Sequence, residues 1–259
     1  MRKMATIRRI KCLEPIPGAD AIEKAVVDGW ELVVKRGEFS VGEKCVYCEI
    51  DSLLPSDNPH FEFLRPKKFR IKTCRFRGQI SSGILFKIEE LFKVENINEI
   101  NIGDDVSEIL GIIKYEPPVN AQLAGQVKGN FPSFIPKTDQ ERCQNHVGFI
   151  EENWQTRYFY VTEKLDGSSV TCYLNDDIFG ICSRNLDLKV NEENENNQFI
   201  KTAKELDIEN KLHQLKDHFG FNLALQGELV GPGIQKNPLQ LDKVTIFFYN
   251  IWDNYLDYY

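Results

Sequence analysis

Over its first third the chain sets apolar positions in short, turn-bounded runs. Residues 5–13 (ATIRRIKCL) begin a strand-like pattern, broken by the turn-rich Pro15-Ile16-Pro17-Gly18-Ala19-Asp20. Ile22 to Val34 holds two β-rich pieces about Asp28-Gly29, a hairpin signal. After the turn Ser40-Val41-Gly42-Glu43, the alternation of Val46 to Ile50 predicts a strand. Phe69 to Phe76 and Gly83 to Ile88 read as two more. Short strands at this spacing predict a small barrel or sandwich, and a five-stranded OB-like barrel fits the length.

The second half changes character. Pro117-Pro118 closes the first piece, and Val119 to Asn130, rich in Gly and Gln, reads as a linker. Residues 140–150 predict a short helix. Tyr158 to Val161 reads as a strand. Ser169 to Leu174 and Ile178 to Ser183 flank Asn175-Asp176-Asp177 as a hairpin. Residues 191–198 (NEENENNQ) are a polar loop or a helix start. Phe199, Ala203, Leu206, Leu212, Leu215 and Phe219 form a helical stripe, interrupted near Asp207-Ile208 and stopped by Gly220. Leu223 to Val230 and Val244 to Trp252 read as strands. The expectation is an α+β chain, with one domain over 1–117 and a second over 118–259.

No run approaches the 18 apolar residues of a membrane span. Met1-Arg2-Lys3-Met4 leads into basic residues with no apolar signal core, which predicts an intracellular protein, cytoplasmic or nuclear. Seven cysteines, an odd and scattered set, fit free thiols in a reducing compartment. The net charge of −7 is unevenly spread. Residues 1–150 carry 22 basic and 21 acidic side chains, and residues 151–259 carry 10 and 18. Residues 65–77 (RPKKFRIKTCRFR) hold seven Lys or Arg and no acid, a strip able to contact a phosphate backbone. Its candidate contacts are Lys67, Lys68, Arg70, Lys72, Arg75 and Arg77. The plainer reading is a solvated barrel edge, with Phe69 and Phe76 in the core. Cys45-Val46-Tyr47-Cys48 has zinc-like spacing, but no second pair completes a site, and alternation sends the two thiols to opposite faces.

The chemistry centres on Val161-Thr162-Glu163-Lys164-Leu165-Asp166-Gly167-Ser168-Ser169. It predicts a tight loop between strands. A lysine becomes a nucleophile when a nearby cation or desolvation lowers its pKa. Gly167 lets the backbone approach a ligand, and Asp166 orients the loop or the amine. Taken alone, the motif also fits a solvated turn with a Lys–Asp pair. The 169–183 hairpin is expected to return Arg184 to Lys164, where it would bind ribose or phosphate. Glu228 is an acid in an otherwise apolar strand, a costly placement unless it is paired or bound.

Together, Glu163-Lys164-Leu165-Asp166-Gly167, Ser183-Arg184-Asn185 and Gln226-Gly227-Glu228-Leu229-Val230-Gly231 resemble motifs I, Ia and III of the covalent nucleotidyltransferases in order and spacing. Ile246 to Ile251 resembles motif IIIa, an aromatic strand that stacks on the purine. Pro136 to Asn145 resembles the segment ahead of motif I in RNA ligases. The N-terminal half is similar to the OB domain of Deinococcus-type nick-sealing RNA ligases.

The resemblance implies an OB-like barrel followed by an incomplete, ATP-grasp-like nucleotidyltransferase domain. It implies an ATP-dependent RNA ligase that seals a 3′-OH to a 5′-phosphate in nicked duplex RNA through a lysyl-AMP formed on Lys164. ATP contacts would come from Thr162, Glu163, Lys164, Asp166, Gly167, Arg184, Glu228 and either Phe248 or Tyr249, with Mg²⁺ or Mn²⁺ as metal. The family's motif IV glutamate and motif V K-x-K find no match after Glu228, so the metal ligands are unassigned and the chain reads as truncated. An RNA-binding OB module with an inactive second half is the alternative. A DNA ligase or capping guanylyltransferase fits less well, because those usually carry the OB domain after the nucleotide domain.

Overall fold

The computed structural model describes residues 2–92, 100–116, 125–138 and 140–253. They divide into two compact units. One comprises residues 1–117 with 139–159, the other 118–138 with 160–259.

The first unit is built on antiparallel strands. β1 (Ala5–Arg9), β5 (Lys44–Cys48) and β9 (Ile84–Lys87) form one sheet. β2 (Cys12–Pro15), β3 (Ile22–Val27) and β4 (Trp30–Lys35) form another. β6 (Ser52–Leu53) pairs β10 (Ile113–Lys114), and β7 (Cys74–Phe76) pairs β8 (Gln79–Ser81). β5 is buried on both sides, and its period-2 alternation serves two cores. Cys45 and Tyr47 pack with Trp30, Leu32 and Val34 of β4. Val46 and Cys48 pack instead with Phe61, Leu64 and Phe86. The two thiols thus enter different cores, and burial pushes the Cys45 thiol up to about 12. All seven cysteines are free. The β3–β4 hairpin turns at Asp28-Gly29 as expected, with Asp28 at φ 49°.

Two expectations fail in this unit. Phe69 to Phe76 is not one strand. Residues 59–67 form a 3-10 helix, Lys68 and Phe69 adopt left-handed backbone (φ 53° and 57°), and strand resumes only at Cys74. Asn58 caps that helix by accepting the His60 amide, and Pro59 suits its start. The left-handed pair that ends it cannot continue as extended strand, so the alternation from Phe69 is not realised. Phe69 is buried but Phe76 is exposed, so only the first is a core residue. The helix expected at 140–150 starts as a 3-10 turn, Cys143–His146, and continues as α2 (Val147–Asn153), after the short α1 (Ile88–Leu91). The α2 region docks on the Asp28-Gly29 turn. Gly29 donates to the Gln144 carbonyl, and Asn145 bridges the Trp30 indole (2.6 Å) and the buried Glu49 (2.7 Å).

The second unit is a six-stranded antiparallel sheet. Its order is β11 (Val127–Asn130), β14 (Leu186–Leu188), β13 (Ile178–Cys182), β12 (Ser168–Asn175), β15 (Leu223–Val230) and β16 (Thr245–Asp253). Helices α3 (Gln198–Glu205) and α4 (Ile208–Phe219) cover one face. Val170, Cys172 and Leu174 of β12 and Leu223, Leu225 and Leu229 of β15 meet Ile200, Ala203, Ile208 and Leu212 there. The helical stripe breaks at Leu206-Asp207 and ends at Gly220, as its signals predict. Asp176 and Asp177 both take positive φ in the two-residue turn between β12 and β13.

The presumed linker is corrected in part. Val127–Asn130 pairs with β14 as an edge strand, while residues 117–124 lie outside the described residues. Tyr158 to Val161 is not a strand either. Its residues have no ladder partner, and Tyr158, Tyr160 and Val161 are almost wholly exposed. Aromatic and β-branched residues favour strands through the neighbours they pack on, and here no strand pairs with them. Among the described residues, no helix is long and apolar enough to cross a membrane.

Candidate functional site

The face of the second sheet opposite the helices carries Ser169, Thr171 and Tyr173 of β12 and Ala224, Gln226 and Glu228 of β15, by alternation from the core positions. Glu228 sits half-buried near the end of β15. Its Oε1 accepts the backbone amide of Gly167 at 3.1 Å. Gln235, from the turn after β15, donates its amide to the Gly167 carbonyl at 3.1 Å. Gly167 is held so close to β15 that a Cβ there would lie 2.3 Å from the Leu229 carbonyl oxygen. That close approach is what the glycine provides.

Lys164 lies three residues before this anchor, on an exposed segment without regular structure that enters β12. The tight loop between two strands is therefore corrected: a strand follows Lys164, but none precedes it. Thr162, Glu163 and Asp166 are exposed on the same segment. Arg184 occupies the turn from β13 to β14, closed by the Ser183 amide on the Leu186 carbonyl at 2.9 Å. Burial raises the Glu228 carboxyl above the usual carboxylate range. The Gly167 amide and the charges of Lys164 and Arg184 pull it down, and Asp166 pushes it up. Gly167 is thus bonded to Glu228, and Lys164, Asp166 and Arg184 lie within electrostatic reach of that carboxyl.

The aromatic strand separates two residues that the sequence left as alternatives. β15 and β16 pair Glu228 with Phe247, Gly227 with Phe248 and Gln226 with Asn250, so Tyr249 is the extra residue of a bulge. Phe248 packs against the helix-side core. Tyr249 and Phe247 are exposed. Phe247, opposite Glu228, went unnoticed in sequence, where it is one aromatic among several.

Gln226 is a second feature hidden in the motif. Only 1% exposed, it donates to the Pro136 carbonyl at 2.7 Å and accepts from the Asn250 side chain at 2.7 Å. Nearby, the Tyr249 hydroxyl donates to Thr138 Oγ1 at 3.2 Å, and Lys137 Nζ reaches Asn185 Oδ1 at 3.3 Å. An amide in an apolar strand carries the same sequence signal as Glu228.

In the first unit, Lys67, Lys68, Lys72, Arg75 and Arg77 are exposed. Arg70 differs, for it pairs with Asp51 at 2.6 Å and stacks over Tyr115 at 3.9 Å. Among the described residues, no three His, Cys, Asp or Glu side chains are placed to hold a metal ion. A cavity of about 320 Å³ opens beside β14, lined by Lys128, Asp187, Lys189 and Asn191, and it contains none of the residues gathered at Glu228.

A family model described as an OB-fold domain matches residues 4–88, and one described as RNA ligase matches residues 157–258. Among solved structures, the chain is similar to a Naegleria gruberi RNA ligase with pyrophosphate: 42% identity, TM-score 0.73, covering 98% of this chain and 74% of that one. A glutamate-to-alanine mutant of the Naegleria ligase with AMP and Mn shares 41% identity at TM-score 0.74, over the same shares of each chain. A lysine-to-alanine mutant with ATP and Mn shares 41% identity at TM-score 0.73, covering 97% and 74%. No curated protein matches the chain.

Proposed function

This chain belongs to the RNA ligase family, and we propose that it is an ATP-dependent ligase of the Deinococcus-type nick-sealing branch, acting through Lys164. The reading rests on one observation above others: Gly167 is tied to Glu228, with Lys164 and Arg184 close enough to bias that carboxylate. A nucleotide fits this place chemically. The Gly167 amide is pinned beside Glu228, two cations offset triphosphate charge, and the exposed ring of Tyr249 lies two residues along β16 from Phe247, the partner of Glu228. A divalent ion, Mg²⁺ or Mn²⁺, would neutralise phosphate charge.

In the proposed reaction the neutral amine of Lys164 attacks the α-phosphorus of ATP. The Pα–O bond to pyrophosphate breaks, pyrophosphate carries off the electron pair, and a phosphoramidate to AMP remains. Arg184 and Glu228 hold the ribose and phosphate side, Glu163 lies near the adenine, Thr162 and Asp166 add further contacts to ATP, and Tyr249 stacks on the base. AMP then passes to a 5′-phosphate of nicked duplex RNA, and a 3′-OH displaces it to form the phosphodiester. The exposed cations of residues 67–77 would hold the RNA backbone. We take the unit of residues 1–117 as the nucleic-acid domain, to which residues 139–159 belong and not to the second domain as the 118–259 boundary expects, and 118–138 with 160–259 as the nucleotidyltransferase domain.

Incubation with α-labelled ATP and Mg²⁺ or Mn²⁺ tests the reading. Covalent label on the wild type and none on Lys164→Ala is the expected result. Label that survives Lys164→Ala overturns the assignment of the nucleophile.

A further inference from the structure

Three consecutive residues, Pro136, Lys137 and Thr138, touch three different corners of the second sheet. Pro136 accepts from Gln226 of β15, Lys137 reaches Asn185 beside Arg184, and Thr138 meets Tyr249 of β16. All of these residues belong to the second unit. Gln226 is the fixed point of the arrangement. Its amide is wholly buried and satisfied at both ends, toward Pro136 on one side and Asn250 on the other. Asn250 flanks the bulge that sets Tyr249 out of register, and Glu228 lies two residues from Gln226 on the same face.

We propose that residues 136–138 form a strap along the nucleotide pocket and that Gln226 is the positioning residue that sets it. The inference rests on the reading that ATP binds at Lys164 and Glu228. The chemical logic is one of cost. A buried amide is kept in a strand core only when both ends are paired, because an unpaired end carries its desolvation penalty. Leucine fills the same space but cannot donate to the Pro136 carbonyl or accept from Asn250. The strap would then lose its tether beside the base-stacking ring, and the ring would lose its bulge-side support. Gln226 acts through these neighbours and not on the reacting atoms, so its loss is expected to weaken nucleotide binding more than the step at phosphorus.

The experiment measures the Kd of ATP calorimetrically in the presence of Mg²⁺, alongside adenylylation at saturating ATP and the melting temperature. Gln226→Leu is expected to weaken ATP binding about tenfold, which is about 1.4 kcal/mol. Its adenylylation rate at saturation should stay within threefold of wild type. Thr138→Val, a near-isosteric change at a half-buried position, removes one tie and should weaken binding about fivefold. It decides the matter if Gln226→Leu does not fold. ATP affinity within twofold of wild type in the folded variants, or a lowered melting temperature with unchanged affinity, overturns the strap. Wild-type protein that binds ATP but takes no label would instead refute the nucleophilic role of Lys164, and the strap would still be judged by its Kd. Failure of the wild type to bind ATP overturns both.

Discussion

Glu228 Oε1 accepts the Gly167 amide at 3.1 Å, so the half-buried acid of β15 holds the backbone three residues beyond Lys164. Burial raises this carboxyl, and its neighbours only partly offset the rise. A carboxyl whose folded-state pKa lies above its unfolded value adds stability that is full below the unfolded pKa, about 4.3 for glutamate, and is lost as pH rises through the folded value. Glu228→Gln keeps an acceptor for Gly167 and carries no charge. The melting temperature of the variant, relative to wild type, is therefore expected to be more favourable at pH 7 than at pH 4. Its adenylylation should fall by at least tenfold. Paired melts at the two pH values check the sign, and a variant that does relatively worse at pH 7 refutes the argument.

Gly167→Ala tests how tightly the anchor is built. The new Cβ would lie 2.3 Å from the Leu229 carbonyl oxygen, a backbone atom that cannot swing aside. Such overpacking costs about 2 kcal/mol. In a chain of this size that lowers the melting temperature by about 5 °C. Gly129→Ala is the control, because nothing lies within 4 Å of its added Cβ. It should stay within about 0.5 kcal/mol of wild type. Equal losses in the two variants would refute the close approach at Gly167.

Much of this arrangement is legible in the chain because it is local. Asp28-Gly29 and Asn175-Asp176-Asp177 announce hairpins through residues that tolerate positive φ, and Gly220 announces the end of a helix. The apolar strand at 223–230 marks Glu228 as a charge that needs partners. What alternation does not reveal is pairing. Tyr158 to Val161 looks like a strand because its residues favour strands, yet strand formation depends on a neighbour that the local pattern does not name. The basic run begins inside a capped 3-10 helix, and the left-handed Lys68 and Phe69 end that helix without starting a strand, which the alternation conceals. The choice between Phe248 and Tyr249 turns on a bulge at Gln226 and Gly227, and register of that kind is set across strands, not along one.

That bulge yields its own prediction. Phe248 packs with the helix-side core and Tyr249 stands exposed on the β16 bulge. Tyr249→Ala should raise the KM for ATP about tenfold with little change in melting temperature, because base stacking contributes about 1–3 kcal/mol. Phe248→Ala should do the reverse, lowering stability by about 2 kcal/mol through lost packing while leaving the KM of the folded protein near wild type. Kinetics and melts on the two variants separate the roles. A larger KM effect at Phe248 would show that the ring facing the base is the wrong one.

The basic strip divides along a similar line. Lys67 and Lys68 are exposed, whereas Arg70 is committed to Asp51 and to the ring of Tyr115. A cation that neutralises a phosphate releases counterions, so each contact contributes about 0.7–0.9 to the slope of log affinity against log salt. Replacing Lys67 and Lys68 with Ala should reduce that slope for nicked duplex RNA by about 1.5 and leave the melting temperature unchanged. Arg70→Ala should instead destabilise the protein, because it strips a partner from Asp51 and a stacked cation from Tyr115. The stacked cation alone is worth about 0.5–2 kcal/mol. Its salt slope should match wild type, since a guanidinium already paired with a carboxylate releases few counterions on meeting RNA. Affinity titrations between 50 and about 200 mM salt, a range over which phosphate contacts are sensitive, give the slopes. An unchanged slope in the double lysine variant would remove this strip from the RNA-binding surface, and a slope change at Arg70 would show that RNA pulls that side chain out of its pair.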